Sequence, residues 1–270
     1  DTRQRYVYDL RQSGITLRTG RRLTWPDDFF YVQGTLRFQY NDVIEGLGNY
    51  PQGLSRQYTL GTAISRTDID NPIFPSRGSK ILLSAELSGG PFLPGNVDYF
   101  KLDFKTEWYK PMFNTNRLVL YTNAELGYIK FLEPSTPINP FELYYMGGSG
   151  LIIATTPLRG YDDRSLGSRD ASGRVLGSQV MAKFTTEIRF SLAQEPIPIY
   201  LLAFAEAGNV YKDMKNANLF DLKRSVGVGA RVMLNPIGLI GFDYGYGFDR
   251  LGVDGQKPSW VFHFQFGKGF

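Results

Sequence analysis

The chain has 270 residues, among them 30 glycines, 15 prolines, 20 phenylalanines, 17 tyrosines, one histidine and no cysteine, with a formal net charge of +4. The lack of cysteine excludes a disulfide framework and thiolate metal sites, and basic residues that alternate with acidic ones, instead of forming a stripe, do not point to nucleic acid. No apolar run approaches the roughly 18 residues of a membrane helix, which excludes helical spans but leaves barrel strands of about 9 to 11 residues open.

The chain begins among polar residues, "DTRQRYVYDLRQSG", as a mature chain or an excised fragment would. Ser13 to Leu23 is the first expected strand, followed by "YVQGTLRFQY", where Val32, Leu36, Phe38 and Tyr40 oppose Gln33, Thr35, Arg37 and Gln39. Gln57 to Asp68 and "KILLSAEL" come next. In "YFKLDFKTEWY", Phe100, Leu102, Phe104 and Trp108 alternate with Lys101, Asp103, Lys105 and Glu107. Such a period of two marks a strand with chemically opposite faces. "NRLVLYTNAELGY", Glu142 to Gly150, "AKFTTEIRF", Ile199 to Tyr211, Ser225 to Leu234, "LIGFDYGYGF" and "WVFHFQFG" bring the expected total to about twelve strands. Without crossover helices they must form an antiparallel meander.

Alternation alone fits both a soluble sandwich and a membrane barrel. Strand length favours lipid, because many segments run to ten residues or more where globular strands average about five or six. Tyr99, Trp108 and Tyr109 on one strand, and Tyr121 and Tyr128 on the next, read as interfacial girdles. Connections also differ: Pro111 to Thr115 is tight, whereas Glu133 to Pro140 and Arg159 to Gly177 are long and polar, the asymmetry of a transmembrane barrel. The expected fold is all-β, one transmembrane antiparallel barrel over residues 1–270, a fragment of a longer chain.

"YYMGGSGLIIATTPLRGYDDRSLG" carries a resemblance: Tyr144 and Tyr145, the Gly147-Gly148 step, and Arg159-Gly160-Tyr161 in a long loop resemble the BamA family of outer-membrane β-barrel assembly proteins. "DIDNPIFPSRGSK", "TEIRF", "FAEAGNVY", "PIGLIGFDYGYGF" and the aromatic last strand are similar to further pieces of that family, in the same order. The resemblance implies sixteen strands preceded by periplasmic repeats, with this chain starting at the fifth. It also implies that Glu142 to Gly150 is the eleventh strand and that the loop with the Arg-Gly-aromatic tip folds back into the barrel. In function it implies insertion of β-barrel clients into the bacterial outer membrane, with unfolded outer-membrane proteins, lipid and accessory lipoproteins as partners. The seam strand Trp260, Phe262, Phe264 and Phe266 is then similar to the family's C-terminal recognition signal.

An arginine inside a lumen needs a carboxylate, because an unpaired buried charge is costly. Glu187 and Glu206 lie on the charged or small-residue faces of their strands and are the expected partners of Arg159. Closure predicts that Ser13 to Leu23 pairs with Trp260 to Gly267, since an open edge in lipid leaves backbone groups unsatisfied.

Other chemistry finds little support. His263 between Phe262 and Phe264 reads as polar filler of the lumen, with no nucleophile elbow beside it. Asp162, Asp163, Asp68 and Asp70 lack the spacing of a calcium loop, and the glycines from Gly227 to Gly247 precede no helix and so form no phosphate loop. No metal, cofactor or enzymatic activity is expected. A pore selected by Lys101, Asp103, Lys105, Glu107, Lys183 and Glu187 is the alternative, and a hydrolase using His263 a distant third.

Overall fold

A computed structural model describes residues 9–45, 53–133, 142–151, 155–169, 173, 175–234, 236, 238–250 and 255–267. Its strands follow the alternation. In order they are β1 (Asp9–Arg22), β2 (Phe30–Glu45), β3 (Gly53–Thr67), β4 (Gly78–Ser88), β5 (Tyr99–Met112), β6 (Thr115–Phe131), β7 (Tyr145–Met146), β8 (Thr155–Thr156), β9 (Val180–Ala193), β10 (Ile199–Tyr211), β11 (Lys223–Leu234), β12 (Gly238–Gly247) and β13 (Ser259–Gly267). Eleven of these form one sheet in the order β1 to β6 and then β9 to β13, while β7 and β8 pair with each other in parallel.

The count is therefore one long strand short of the expected twelve. Glu142 to Gly150 is not a strand of the sheet: it holds β7 and, through bridges from Tyr144, Met146 and Gly148 to Ser178, Leu166 and Leu158, folds upon its own loop. Its run of buried residues is hydrophobic for that reason, and β6 pairs directly with β9. Of the expected long loops, residues 134–140 lie outside the described residues.

Two compact units divide the chain. The first comprises residues 1–65, 82–103 and 128–142, the second residues 66–81, 104–127 and 143–270. In the second, burial alternates along β9: Phe184, Ile188, Phe190 and Leu192 are exposed, whereas Lys183, Thr185, Glu187 and Arg189 are buried. β13 repeats the pattern, with Trp260, Phe262, Phe264 and Phe266 exposed by 40 to 61% and His263 and Gln265 buried. Apolar outside and charged inside is the arrangement of a sheet whose outer face meets hydrocarbon. On that outer face Tyr244 stacks on Trp260 at 4.9 Å and Phe242 packs against Phe264 at 5.5 Å, cross-strand pairs that hold β12 and β13 in register.

The girdle assignment needs correction at three tyrosines. Tyr99, Tyr109 and Tyr121 are at most 5% exposed and share the inner phase of their strands with polar neighbours, while Trp108 does face outward. Tyr109 and Tyr121 join Phe74, Val119, Tyr200, Leu202, Phe204 and Leu239 in an apolar cluster on the inner face of the second unit. Leu202 and Phe204 are buried with Glu206 because all three share one phase of β10.

Link lengths in the second unit alternate from end to end. Residues 113–114 and 194–198 close hairpins at one end, and residues 212–222 close one at the other. Phe113 and Asn114, both at positive φ, make the first a two-residue mirror-image turn suited to the twist of the strands. The link "DIDNPIFPSRGS" is tied by its own carboxylates and amide. Asp68 accepts from the Ser79 amide and Arg66, Asp70 from the Ser76 and Arg77 amides, and Asn71 from Ile73 and Phe74. Gly78, at φ +105°, is required there, because a Cβ would meet the Asp68 carbonyl at 2.1 Å.

Candidate functional site: a loop tip seated on five strands

β9 and β10 pair so that Glu206 lies opposite Thr185 and Phe204 opposite Glu187. Inward phase then puts Lys183, Glu187, Arg189 and Glu206 on one patch of wall, and β11 and β12 add Arg231 and Asp243. Onto this patch comes the loop tip. Arg159 Nη2 donates to Glu187 Oε1 at 2.6 Å and to Glu206 Oε1 at 2.8 Å, and the Arg159 backbone amide donates to Glu206 Oε2 at 2.8 Å. The guanidinium also lies 3.6 Å from the Phe204 ring centroid and 3.5 Å from Asp243 Oδ1. Geometry thus brings Arg159, Glu187 and Glu206 together, and a glutamate on β10 can serve both the side chain and the backbone of the tip.

The carboxylates have further partners. Arg189 donates to Glu187 Oε2 at 2.7 Å and stacks over Tyr121, with Lys183 at 3.3 Å from Glu206. Arg231 grips Asp243 in a two-point pair, both contacts 2.9 Å, and reaches Gln265 at 3.1 Å. Arg159, Lys183, Arg189, Arg231, Glu187, Glu206 and Asp243 are all at most 5% exposed. Such a network stabilises only as a whole, because removing one member leaves its partners charged and dry.

Gly160 and Tyr161 extend the seat. At φ +88° Gly160 lies backbone to backbone on β12: a Cβ on Gly245 would meet the Gly160 nitrogen at 2.8 Å, and one on Gly247 the Gly160 oxygen at 2.4 Å. The glycines of "DYGYG" therefore admit the loop. The Gly160 amide donates to His263 Nε2 on β13 at 2.8 Å. Tyr161, fully buried, donates to the Arg224 carbonyl of β11 at 2.7 Å, and Asp162 pairs with Arg250 at 2.7 Å. Near the same rim, partial burial works against the Asp249 carboxylate but hydrogen bonds from Arg224 outweigh it, holding its carboxyl below the usual range.

The start of the loop has its own anchor, in the first unit. Glu142, 7% exposed, accepts from Gln57 Nε2 at 3.1 Å and lies 3.5 Å from both Arg37 and Lys101, while Lys101 also donates to its carbonyl at 3.1 Å. Tyr99 completes this cluster by accepting from Gln57 and Arg37 at 2.8 and 3.1 Å.

Sequence reasoning missed several of these residues. It read His263 as filler and Glu142 as the start of a strand, and it gave no role to Arg189, Arg231 or Asp243. The available signal was phase: Arg231, Asp243 and His263 each fall between neighbours of the outward phase, Ala230 and Val232, Phe242 and Tyr244, and Phe262 and Phe264. Which of them meet depends on register, which alternation does not contain.

With that geometry in hand, comparison with known proteins is informative. A family model described as the Omp85 superfamily domain matches residues 1–270. The chain belongs to the Omp85 superfamily. A SAM50-like protein of Schizosaccharomyces pombe is 25% identical over 208 residues, covering 75% of this chain and 42% of that protein. The crystal structure of BamA from Haemophilus ducreyi lacking POTRA domains 1-3 superimposes with a TM-score of 0.74 at 15% identity, over 96% of this chain and 55% of that one. At that identity the likeness is one of fold, and the chain spans about half the length of these proteins. As an Omp85-superfamily chain with this fold, it is an outer-membrane protein.

Proposed function

We propose that this chain is the barrel part of an assembly factor in the bacterial outer membrane, which folds and inserts β-barrel clients and has no enzymatic chemistry of its own. The observation that carries the reading is the seated loop tip: Arg159, Gly160 and Tyr161 engage all of β9 to β13, so the terminal strands form one body with the loop. Membership of the Omp85 superfamily and the likeness to a bacterial BamA barrel support it.

In this reading β13 is the exchangeable seam strand, to which an incoming client strand adds by pairing along its edge. Strand addition supplies main-chain hydrogen bonds that do not depend on the client's side chains. The outward Trp260, Phe262, Phe264 and Phe266 keep lipid against the seam. Unfolded outer-membrane proteins are the clients, and accessory lipoproteins the proposed helpers.

The test is client insertion. Liposomes carrying the parent protein should accelerate the appearance of folded, heat-modifiable client barrels, and an Arg159→Ala variant should lose that acceleration. Steady conductance across a planar bilayer, with no effect on clients, would favour a pore instead.

A further inference from the structure

His263 is the sole histidine of the chain, is 5% exposed, and sits on the last strand of the sheet order. Its Nε2 accepts the Gly160 amide at 2.8 Å. An imidazole nitrogen accepts only when it carries no proton, so this contact requires the neutral ring with its hydrogen on Nδ1. Of the three protonation states open to a histidine, the other two place an N–H against an N–H. The acceptor is also local to the strand: His263 lies opposite Asp243 in the β12–β13 register, and Asp243 is already held by Arg231 of β11. Glu206 of β10, together with Arg159 and Asp163 from the loop, also acts on the ring through its charge.

The tip cannot slide to find another acceptor. Gly160 is confined from behind by Gly245 and Gly247 at backbone contact, and on either side Arg159 and Tyr161 are fixed to β9, β10 and β11. We infer that His263 is a positioning residue that latches β13 to the loop tip while its ring is neutral, and that protonating it, or withdrawing the tip, frees β13 to exchange partners. The second half of this statement rests on the seam reading above; the first half does not. No bond is made or broken apart from the transfer of one solvent proton to Nε2, which removes the acceptor.

Having a single histidine makes the test direct. The full chain, labelled with ¹⁵N-histidine and folded in detergent micelles, should show one pair of ring nitrogens in the Nδ1–H tautomer at neutral pH, titrating in one step. Across that step the protection factor of the Gly160 amide, corrected for intrinsic exchange, should fall at least tenfold. His263→Gln supplies an acceptor that does not titrate, so it should keep the amide protected and abolish the pH step. His263→Leu should leave it unprotected throughout. A ring found as the Nε2–H tautomer, or the same pH step in His263→Gln, would overturn the latch. Client insertion then separates the two readings: wild type should insert faster below the titration midpoint relative to His263→Gln. Equal rates with the latch readouts intact would overturn control of β13 while leaving the assembly activity itself standing.

Discussion

The loop between β6 and β9 is held at two places of opposite charge, and their surroundings differ. At Arg159, in the second unit, a cation enters a wall of carboxylates and every participant is at most 5% exposed. At Glu142, in the first unit, an anion meets Arg37 and Lys101, whose side chains keep 26% and 15% of their exposure, and Arg37 also borders an open polar cavity with Arg18, Thr35 and Glu86. Dry charges depend on their partners, because nothing else solvates them; wet ones fall back on water. The Arg159 contact therefore fixes the loop, whereas the Glu142 contact guides it.

The largest effect expected from breaking this contrast is at Arg159. Arg159→Ala leaves Glu187 and Glu206 short of their central partner and should cost about 3–5 kcal/mol, the usual penalty for stripping a buried pair. Denaturant midpoints in micelles would show it, together with new protease cleavage between Gly147 and Leu166. Gly245→Ala attacks the same seat by shape: its Cβ would stand 2.8 Å from the Gly160 nitrogen, so the tip must lift. A loss of about 1–3 kcal/mol is expected, as for other overpacked sites, with Gly160 amide protection reduced in parallel.

Glu142→Gln should be milder, about 0–1 kcal/mol, because Arg37 retains Glu86 at 2.9 Å and Lys101 is partly hydrated. Equal losses at Glu142 and Arg159 would remove the distinction between the two anchors. The smallest effect lies in the link from β3 to β4. There burial works against the Asp68 and Asp70 carboxylates, but donors from Arg66, Ser79, Ser76 and Arg77 outweigh it and hold both below the ordinary range. A depressed folded value means that the contribution is complete above the ordinary carboxylate pKa of about 4 and is lost as pH falls below it. Protection factors of the Ser76 and Ser79 amides, corrected for intrinsic exchange, should fall on acidification, and Asp70→Asn should weaken that response at Ser76.

Phase was legible in the sequence and register was not. Lys183, Glu187 and Arg189 could be placed on the inner face from "AKFTTEIRF" alone, whereas Glu206 shares its phase with Tyr200, Leu202 and Phe204, so no polar alternation on its own strand marks the inner face. Pairing Arg159 with Glu187 and Glu206 needed the family resemblance, which implies that the loop folds inward, together with the cost of a buried lone charge. Tyr109 and Tyr121 were misjudged because an aromatic near a strand end fits a lipid interface and a lumen cluster equally well; only their phase, shared with Glu107 and Asn123, separates the two. Glu142 to Gly150 looked like a strand because a loop buried inside a barrel is as apolar as one. The contact between Gly160 and His263 joins residues far apart in the chain, and no local pattern could announce it.

The account turns on the coupling between the loop tip and the wall, which a double-mutant cycle reads directly. Arg159→Met, Glu206→Gln and the double variant would be unfolded by denaturant in the same micelles. A coupling energy above about 1 kcal/mol is predicted, because either single change strands the other partner in a dry site. Additive losses would contradict it, since they would mean that Arg159 and Glu206 do not meet in the folded protein.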